Sequence, residues 1–495
     1  MDILRSALPE EVGVRPEWIS NFITALEKRG LMMHSILFAR FGRIFADGYY
    51  APFKKNDYHR MYSVSKSFAS MAVGCLVGEG KISLSDCVAG FFPDKIPENP
   101  NPYVMQTTVR DCLMMATPYS DGVTYHPTDP DWLATFFNPV RITANHPSGT
   151  LFHYDTAGTY VLCAIVERVT GMPFLDYLKE KTLRKIGVSE KIWCVKAPEG
   201  YSWGGSGVMC STRDLARFAQ LVMNNGEFNG EQLIPADYVK AATSRQIDNS
   251  LSGHRTYLSG NGYGYQIWMT HDDSFSFLGM GGQLAVCVPK LDLLFVCTGD
   301  VQGNPTTYNA VFEELWKQVI EKITEKSLPK NPAEEKALKE QLASLKCVLP
   351  NGEKTSDLAA KISGVTYKLN ENRMDIDTLR VDLDGENGEI TFVKNGAEKK
   401  IRFSMGEYLI GEFPETHYYD ERIGTSANRK YRCMASAQWT QPDKLAIRVY
   451  VIDNYFGNLN ITLAYKGDEI ALAMNKTAEW FMDEYNGVTG GWIVE

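Results

Sequence analysis

Apolar residues recur at three- and four-residue spacing through residues 16–30 (PEWISNFITALEKRG), behind a proline placed where a helix can open. Residues 34–50 (HSILFARFGRIFADGYY) instead show strand character on both sides of Phe41-Gly42-Arg43, which predicts a hairpin. Helical spacing then dominates. It runs through 65–80, which ends on glycine, and through 108–116, with Thr108 as N-cap. It returns in 159–171, closed by Gly171, and in 211–226, opened by Ser211 or Thr212 and closed by Gly226. Two strand-like runs, 283–289 and 291–299, come late, and a helix over 308–323 follows them. The simplest assembly is an α+β fold. The early hairpin and the late strand pair share one antiparallel sheet, the first and last helices cover one of its faces, and the middle helices form a second lobe. A cleft between sheet and lobe is the natural place for a ligand.

The pattern changes after about residue 326. Pro329 and Pro332 punctuate a charged stretch in which Asn331 fits an N-cap, Pro332 the first helical position and Glu334 the acidic residue of a capping box. Beyond 348 the chain alternates in strand fashion between the turn signals Asp384-Gly385, Asn387-Gly388, Asn395-Gly396 and Lys466-Gly467. The expected organisation is a first domain over 1–326, a helical linker over 327–347 and a small β-barrel, lipocalin-like, over 348–495.

Composition narrows the function classes. The 495 residues are 44% hydrophobic and 22% charged, as expected of a soluble globular chain. A net charge of -9 with no basic stripe argues against nucleic acid as a partner. No run reaches the length of a membrane span, and no basic start leads into an apolar core, so the expectation is a cytoplasmic protein without a membrane partner. The ten cysteines are scattered without C-x-x-C, and most sit in apolar stretches; they read as buried hydrophobes in a reducing compartment. The eight histidines are dispersed, with no ligand spacing. No metal and no cofactor is expected, and His126 and His153 receive no catalytic role.

The candidate chemistry lies in MYSVSKSFASMAVGCL (61–76). Ser63-Val64-Ser65-Lys66 has S-x-x-K spacing, which puts serine and lysine one turn apart on one side of a helix. A serine hydroxyl needs a nearby base, and a lysine amine serves if burial or positive neighbours lower its pKa. The helix N-terminus favours negative charge developing on the serine oxygen. Lysine at the head of an interior helix is costly to bury without a role. The alternative is that Ser63 or Ser65 caps the helix and Lys66 snorkels outward. The same spacing occurs again at Ser327-Leu328-Pro329-Lys330. Spacing alone therefore decides nothing, and both readings stand on the local stretch.

Context goes further. Residues 59–94 resemble the serine β-lactamase and penicillin-binding-protein-like group, nearest to the class C β-lactamases and their relatives, the family VIII carboxylesterases and 6-aminohexanoate-dimer hydrolases. The resemblance runs from about residue 8 to about 325. Its landmarks follow in family order: the S-x-x-K helix, GKISLSD (80–86), TVRDCLMM (108–115), the tyrosine element in 148–171, GGSGVMCSTRDLARFAQLVMNNG (204–226) and LGMGGQLAVCVPKLDLLFVCTGD (278–300). It implies a β-lactamase/transpeptidase-like fold in which Ser63 is acylated, Lys66 is its base partner and Tyr154, with its phenolate favoured by Lys66, assists proton transfer. Threonine stands at 156 where the family has asparagine, so a substrate-binding role for Thr156 rests on a shorter group without an amide. The family's strand element falls on Phe277-Leu278-Gly279, and only the glycine survives. Phe277 stands where a cation would hold a substrate carboxylate. The backbone N–H groups of Ser63 and Met280 would form the oxyanion hole, with Gly279 allowing close approach. Tyr154 as a packing aromatic, and Gly279 to Gly282 as a bulge, are the bland alternatives.

The missing cation and the missing export signal point away from antibiotics and cell-wall peptides. An ester or amide of a small molecule with an apolar acyl part fits better. Tyr125 and Trp132, in an irregular stretch, are the aromatics expected to face it; Tyr62, Tyr119, Phe152, Trp203, Tyr263, Tyr265 and Trp268 are further aromatics expected around the cleft. The expectation is thus a serine hydrolase acting through an acyl-enzyme. The alternatives are a binding module of the same fold with its catalysis lost, or a D-aminopeptidase-type peptidase. The barrel is expected either to cover one side of the cleft, to support a homodimer, or to stabilise as an appendage.

Overall fold

The computed structural model describes residues 3–120, 125, 129–139, 143–251, 257–302, 307–415, 430–453, 456–477 and 483–494. The chain forms two compact units, Met1–Leu345 and Lys346–Glu495.

In the first unit, helix α1 (Pro16–Lys28) opens on its proline. Strands β1 (Met33–Arg40) and β2 (Arg43–Tyr49) form the hairpin, with Phe41 and Gly42 both at positive φ in its two-residue turn. They join β4 (Phe275–Gly279), β5 (Gln283–Val288) and β6 (Leu293–Gly299) in one sheet of order β2-β1-β6-β5-β4, antiparallel throughout. Short edge strands, Arg5–Ser6 beside β2 and β3 (Trp268–Met269) beside β4, complete it. Strands β1 and β6, distant in sequence, pair in the middle of the sheet and are buried on both faces along their whole length. On one face α1 seats Phe22 edge-on against Phe38 and Phe295, at 5.5 and 5.3 Å. Such aromatic pairs contribute about 0.5–1.5 kcal/mol each beyond buried area. The opposite face carries α4 (Thr212–Met223), whose Ser211 and Asp214 form a capping box. A buried hydroxyl chain fastens it there: Ser35 of β1 lies 2.6 Å from both Thr212 of α4 and Thr298 of β6.

The interior helices are α2 (Ser65–Gly78) and α3 (Thr156–Thr170), which pack against each other. Helix α2 is buried on every side from Ser65 to Leu76, and a Cβ on its Gly74 would meet the Tyr238 ring at 2.5 Å. Helix α5 (Thr307–Gln318) lies against α1 and ends earlier than its apolar spacing predicts, with a 3-10 turn over Ile320–Lys322.

Helix α6 (Pro332–Ser344) is capped by Asn331, whose side chain accepts from Glu334 N. Expected as a linker, it packs instead on α1 and β2: Gln341 donates to Thr24 at 3.3 Å, and Leu342 and Leu345 crowd Gly48. Unit one consequently runs to Leu345 rather than to about 326.

The second unit is a closed nine-strand β-barrel. Its strands are β7 (Thr366–Leu369), β8 (Ile376–Asp384), β9 (Asn387–Lys394), β10 (Ala397–Met405), β12 (Tyr431–Gln441), β13 (Lys444–Ile452), β14 (Phe456–Lys466), β15 (Glu469–Thr477) and β16 (Gly487–Ile493), with β11 (Leu409–Phe413) paired alongside β12. The ladder runs β10-β9-β8-β7-β16-β15-β14-β13-β12 and closes where β10 meets β12 over Ser404↔Ser436 and Met405↔Ala437. Alternation fills the interior with residues such as Leu379, Ile390, Ile401, Ile447, Ile461 and Leu472, all buried. Asn395 and Gly396 take positive φ in the turn joining β9 to β10, as an Asn-Gly hairpin requires. Asn387-Gly388, read as a turn, lies instead inside β9, where the Phe403 ring leaves no room for a Cβ on Gly388.

Candidate active site

Ser63 sits in a 3-10 turn, Tyr62–Val64, that feeds directly into α2. Neither nearby serine caps the helix: the N-cap is Val64, without a side-chain bond, and Ser65 accepts the Val208 N–H at 3.0 Å. Immediately before Ser63, Tyr62 is held at φ 47°, a left-handed backbone that costs a non-glycine residue on the order of 1 kcal/mol. Lys66 is 1% exposed. It does not snorkel; its Nζ donates to Ser63 Oγ at 3.1 Å and to the Gly205 carbonyl at 2.5 Å.

Tyr154 comes from the loop before α3. Asp155 fixes that loop: one carboxylate oxygen accepts Ala157 N at 2.9 Å as N-cap, and the other accepts the Thr117 hydroxyl at 2.7 Å. The Tyr154 side chain reaches Ser63 through a hydrogen bond, and its ring face lies 5.2 Å from Lys66 Nζ. Burial pushes the Tyr154 phenol well above the ordinary tyrosine range, and the bond from Ser63 offsets only part of this. Desolvation of the half-buried Tyr154 thus favours the neutral phenol, against the phenolate expected from its neighbour Lys66. Trp268 stacks on Tyr154 at 5.6 Å, backed by Phe152 and Tyr263.

Gly279, at the end of β4, runs against the backbone two residues before the serine: a Cβ there would lie 2.2 Å from the Met61 carbonyl. Only glycine permits that approach. The turn after it is stitched by Gln283, which donates to the Met280 carbonyl at 3.0 Å and to the Gly299 carbonyl at 2.8 Å. The Tyr308 hydroxyl donates to the Gly279 carbonyl. In a trans peptide the C=O and N–H point opposite ways, so the Met280 N–H is turned away from Tyr308.

The structure thus brings Ser63, Lys66 and Tyr154 together. Thr156 lies beside them, its methyl rather than its hydroxyl facing Gly205, where a Cβ would be 2.7 Å from Thr156 Cγ2. Tyr125 and Trp132 do not join the group. They stack on each other at 4.7 Å, 4% and 0% exposed, and Trp132 packs on Tyr160 and Trp203. The irregular stretch that suggested a substrate-facing pair folds them into the core. Phe277 is likewise fully buried, against Phe218 of α4. His126 lies outside the described residues. Sequence reasoning missed the Gly205 carbonyl as a lysine partner. The signal was the run Gly204-Gly205-Ser206-Gly207, in which a Cβ on any of the three glycines would meet another atom within 3 Å. Among the described residues no three His, Cys, Asp or Glu side chains gather as a metal-holding group, and no helix is long and apolar enough to cross a membrane.

Known proteins share this arrangement of elements. The chain is 25% identical over 309 residues to the 6-aminohexanoate-dimer hydrolase of Paenarthrobacter ureafaciens, covering 59% of this chain and 79% of that one. A Bacillus anthracis structure provisionally described as a 6-aminohexanoate-dimer hydrolase superposes with a TM-score of 0.51 at 19% identity, over 65% of this chain and 89% of the other. A hydrolase with promiscuous acyltransferase activity gives a TM-score of 0.50 at 14% identity, over 61% and 98%. The Beta-lactamase family model matches residues 34–310, more than half of the sequence, and the chain belongs to that family.

Proposed function

We propose that the protein is a serine hydrolase that cleaves an ester or amide of a small molecule through an acyl-enzyme. The observation carrying this reading is the convergence on one serine of a buried lysine and of a tyrosine from a separate element. Lys66 accepts the Ser63 proton as Oγ attacks the carbonyl carbon, and the tetrahedral oxyanion is received by the N–H groups of Ser63 and Met280. Tyr154, protonated at rest, delivers its proton to the leaving group and is reprotonated through Lys66. Water then releases the acyl group by the reverse relay. Gly279 and Thr156 line the approach to Ser63 in this reading. The apolar wall of Tyr154, Trp268 and Phe152 favours an acyl part without a carboxylate. That acyl preference separates the protein from antibiotic-degrading members of its family, and the relationship to 6-aminohexanoate-dimer hydrolase adds amides to the substrate class.

The test is exposure of the folded protein to a fluorophosphonate, followed by peptide mass spectrometry, with turnover of short-chain p-nitrophenyl esters measured in parallel. Label on Ser63 and ester hydrolysis that Ser63→Ala abolishes are expected. Label elsewhere, or none, would refute the reading.

A further inference from the structure

Arg60 has no place in the relay described above, yet it is fully buried three residues before the nucleophile. Its guanidinium is sandwiched by two rings, 4.6 Å from the Tyr62 centroid and 4.5 Å from that of Trp203. Its fork spans one residue: Nε donates to the Ser206 carbonyl and Nη2 to the Ser206 hydroxyl, both at 3.0 Å. Ser206 is the neighbour of Gly205, whose carbonyl accepts from Lys66 Nζ. We propose that Arg60 is a positioning residue for the serine chemistry: by gripping Ser206 at two points and Tyr62 through its ring, it fixes the Gly205 carbonyl against Lys66 and so aims the amine at Ser63.

The physical reason lies in the geometry of an amine. Nζ donates to Ser63 Oγ in this structure; to act as base it must be neutral, with two N–H groups and one lone pair, and it takes the serine proton only when that lone pair faces Oγ. Rotation about Cε–Nζ is otherwise free. A carbonyl that engages one N–H selects the productive rotamer, and a displacement of about 1 Å in such a group costs on the order of 100-fold in rate. The Gly205 carbonyl belongs to a glycine run with little stiffness of its own. Stiffness comes from the methyl of Thr156 on one side and from the Arg60 clamp on the other. The same guanidinium lies over the ring of Tyr62, the residue holding the left-handed backbone before Ser63. Lysine has neither the planar fork nor the stacking surface to replace it.

The inference rests on the proposed function, and the test separates the two. Full-length protein carrying Arg60→Met, Arg60→Lys or Ser206→Ala is compared with wild type in p-nitrophenyl butyrate turnover, in the rate of fluorophosphonate labelling at Ser63 and in melting temperature. Arg60→Met is expected to lower kcat and the labelling rate about 30- to 100-fold with KM changed by less than about twofold. Arg60→Lys restores the charge but recovers little of kcat. Ser206→Ala, which removes one of the two clamp bonds, loses about three- to tenfold. Wild-type kcat and labelling rate in Arg60→Lys and Ser206→Ala would overturn the clamp while leaving the function standing. A wild-type protein that does not label at Ser63 would remove both.

Discussion

Ser63-Val64-Ser65-Lys66 and Ser327-Leu328-Pro329-Lys330 share one spacing and nothing else. The first enters a helix buried on every side, with its lysine 1% exposed and bonded to the serine. The second lies in irregular chain before α6, and both Ser327 and Lys330 are exposed. An exposed lysine keeps its proton in water and has no reason to face a hydroxyl three residues away. A buried one must find partners, and those of Lys66 include the nucleophile and a backbone carbonyl. Burial, not spacing, converts the motif into a candidate for chemistry.

That contrast can be broken most directly by removing the hydroxyls. Ser63→Ala is expected to lower p-nitrophenyl ester turnover by at least about 1,000-fold, and Lys66→Ala by about 100- to 10,000-fold. Equal losses from Ser327→Ala and Lys330→Ala would erase the distinction.

Tyr154→Phe is expected to cost about 10- to 100-fold in kcat. Because burial holds the phenol neutral, kcat/KM should show no alkaline loss from Tyr154 ionisation at the ordinary phenol pKa of about 10. The linkage has a definite sign. A group whose folded pKa is raised contributes stability that is complete below its unfolded pKa and is lost as pH rises above it. Tyr154 therefore contributes to alkaline, not acid, destabilisation, and Tyr154→Phe should flatten the fall in melting temperature above about pH 10.

Tyr308→Phe removes one hydroxyl bond to the Gly279 carbonyl. A loss of about 1 kcal/mol there corresponds to about fivefold in kcat, with KM little changed. An unchanged kcat would detach the Met280 turn from the reaction.

A smaller effect is read through pH. Upstream of the first copy, His59 Nε2 lies 3.1 Å from His34 Nδ1, both rings buried. Burial, and then the neighbouring His59, holds the His34 pKa well below the usual histidine value. A depressed histidine binds its proton in the unfolded chain first, so stability is complete above about pH 6.5 and falls as pH drops below it. Melting temperature should decline from pH 7 to pH 5, and His34→Leu should lessen the slope. The smallest expected change is in Ser327→Ala and Lys330→Ala, within about 0.5 kcal/mol of wild-type stability.

Much of this was legible in the sequence. Periodicity and capping residues placed α1, α2, α3, α4 and α6 within a few residues, because those signals are local: Pro16 opens α1, Ser211 and Asp214 cap α4, Gly171 stops α3. Asn395-Gly396 marked a hairpin because its backbone conformation excludes most other residues. Ser63 and Lys66 stood out by their spacing, while Tyr154 and Gly279 were named only through the family resemblance. What the sequence could not decide was which groups face one another. Tyr125 and Trp132 were indistinguishable from site aromatics until their stacking put them in the core. The Asn387-Gly388 pair matched a turn, yet its glycine answers to the Phe403 ring of the next strand. The Lys66 partner at Gly205 is a backbone carbonyl, which every residue possesses, so no side chain could announce it. The chain itself determined its helices, strands and turns, whose energetics are settled within a few residues. Only the tertiary structure decided that Lys66 is buried, that Tyr154 reaches Ser63 and that Arg60 grips the loop beside them. Those properties depend on desolvation and on contacts between residues about 90 to 150 positions apart.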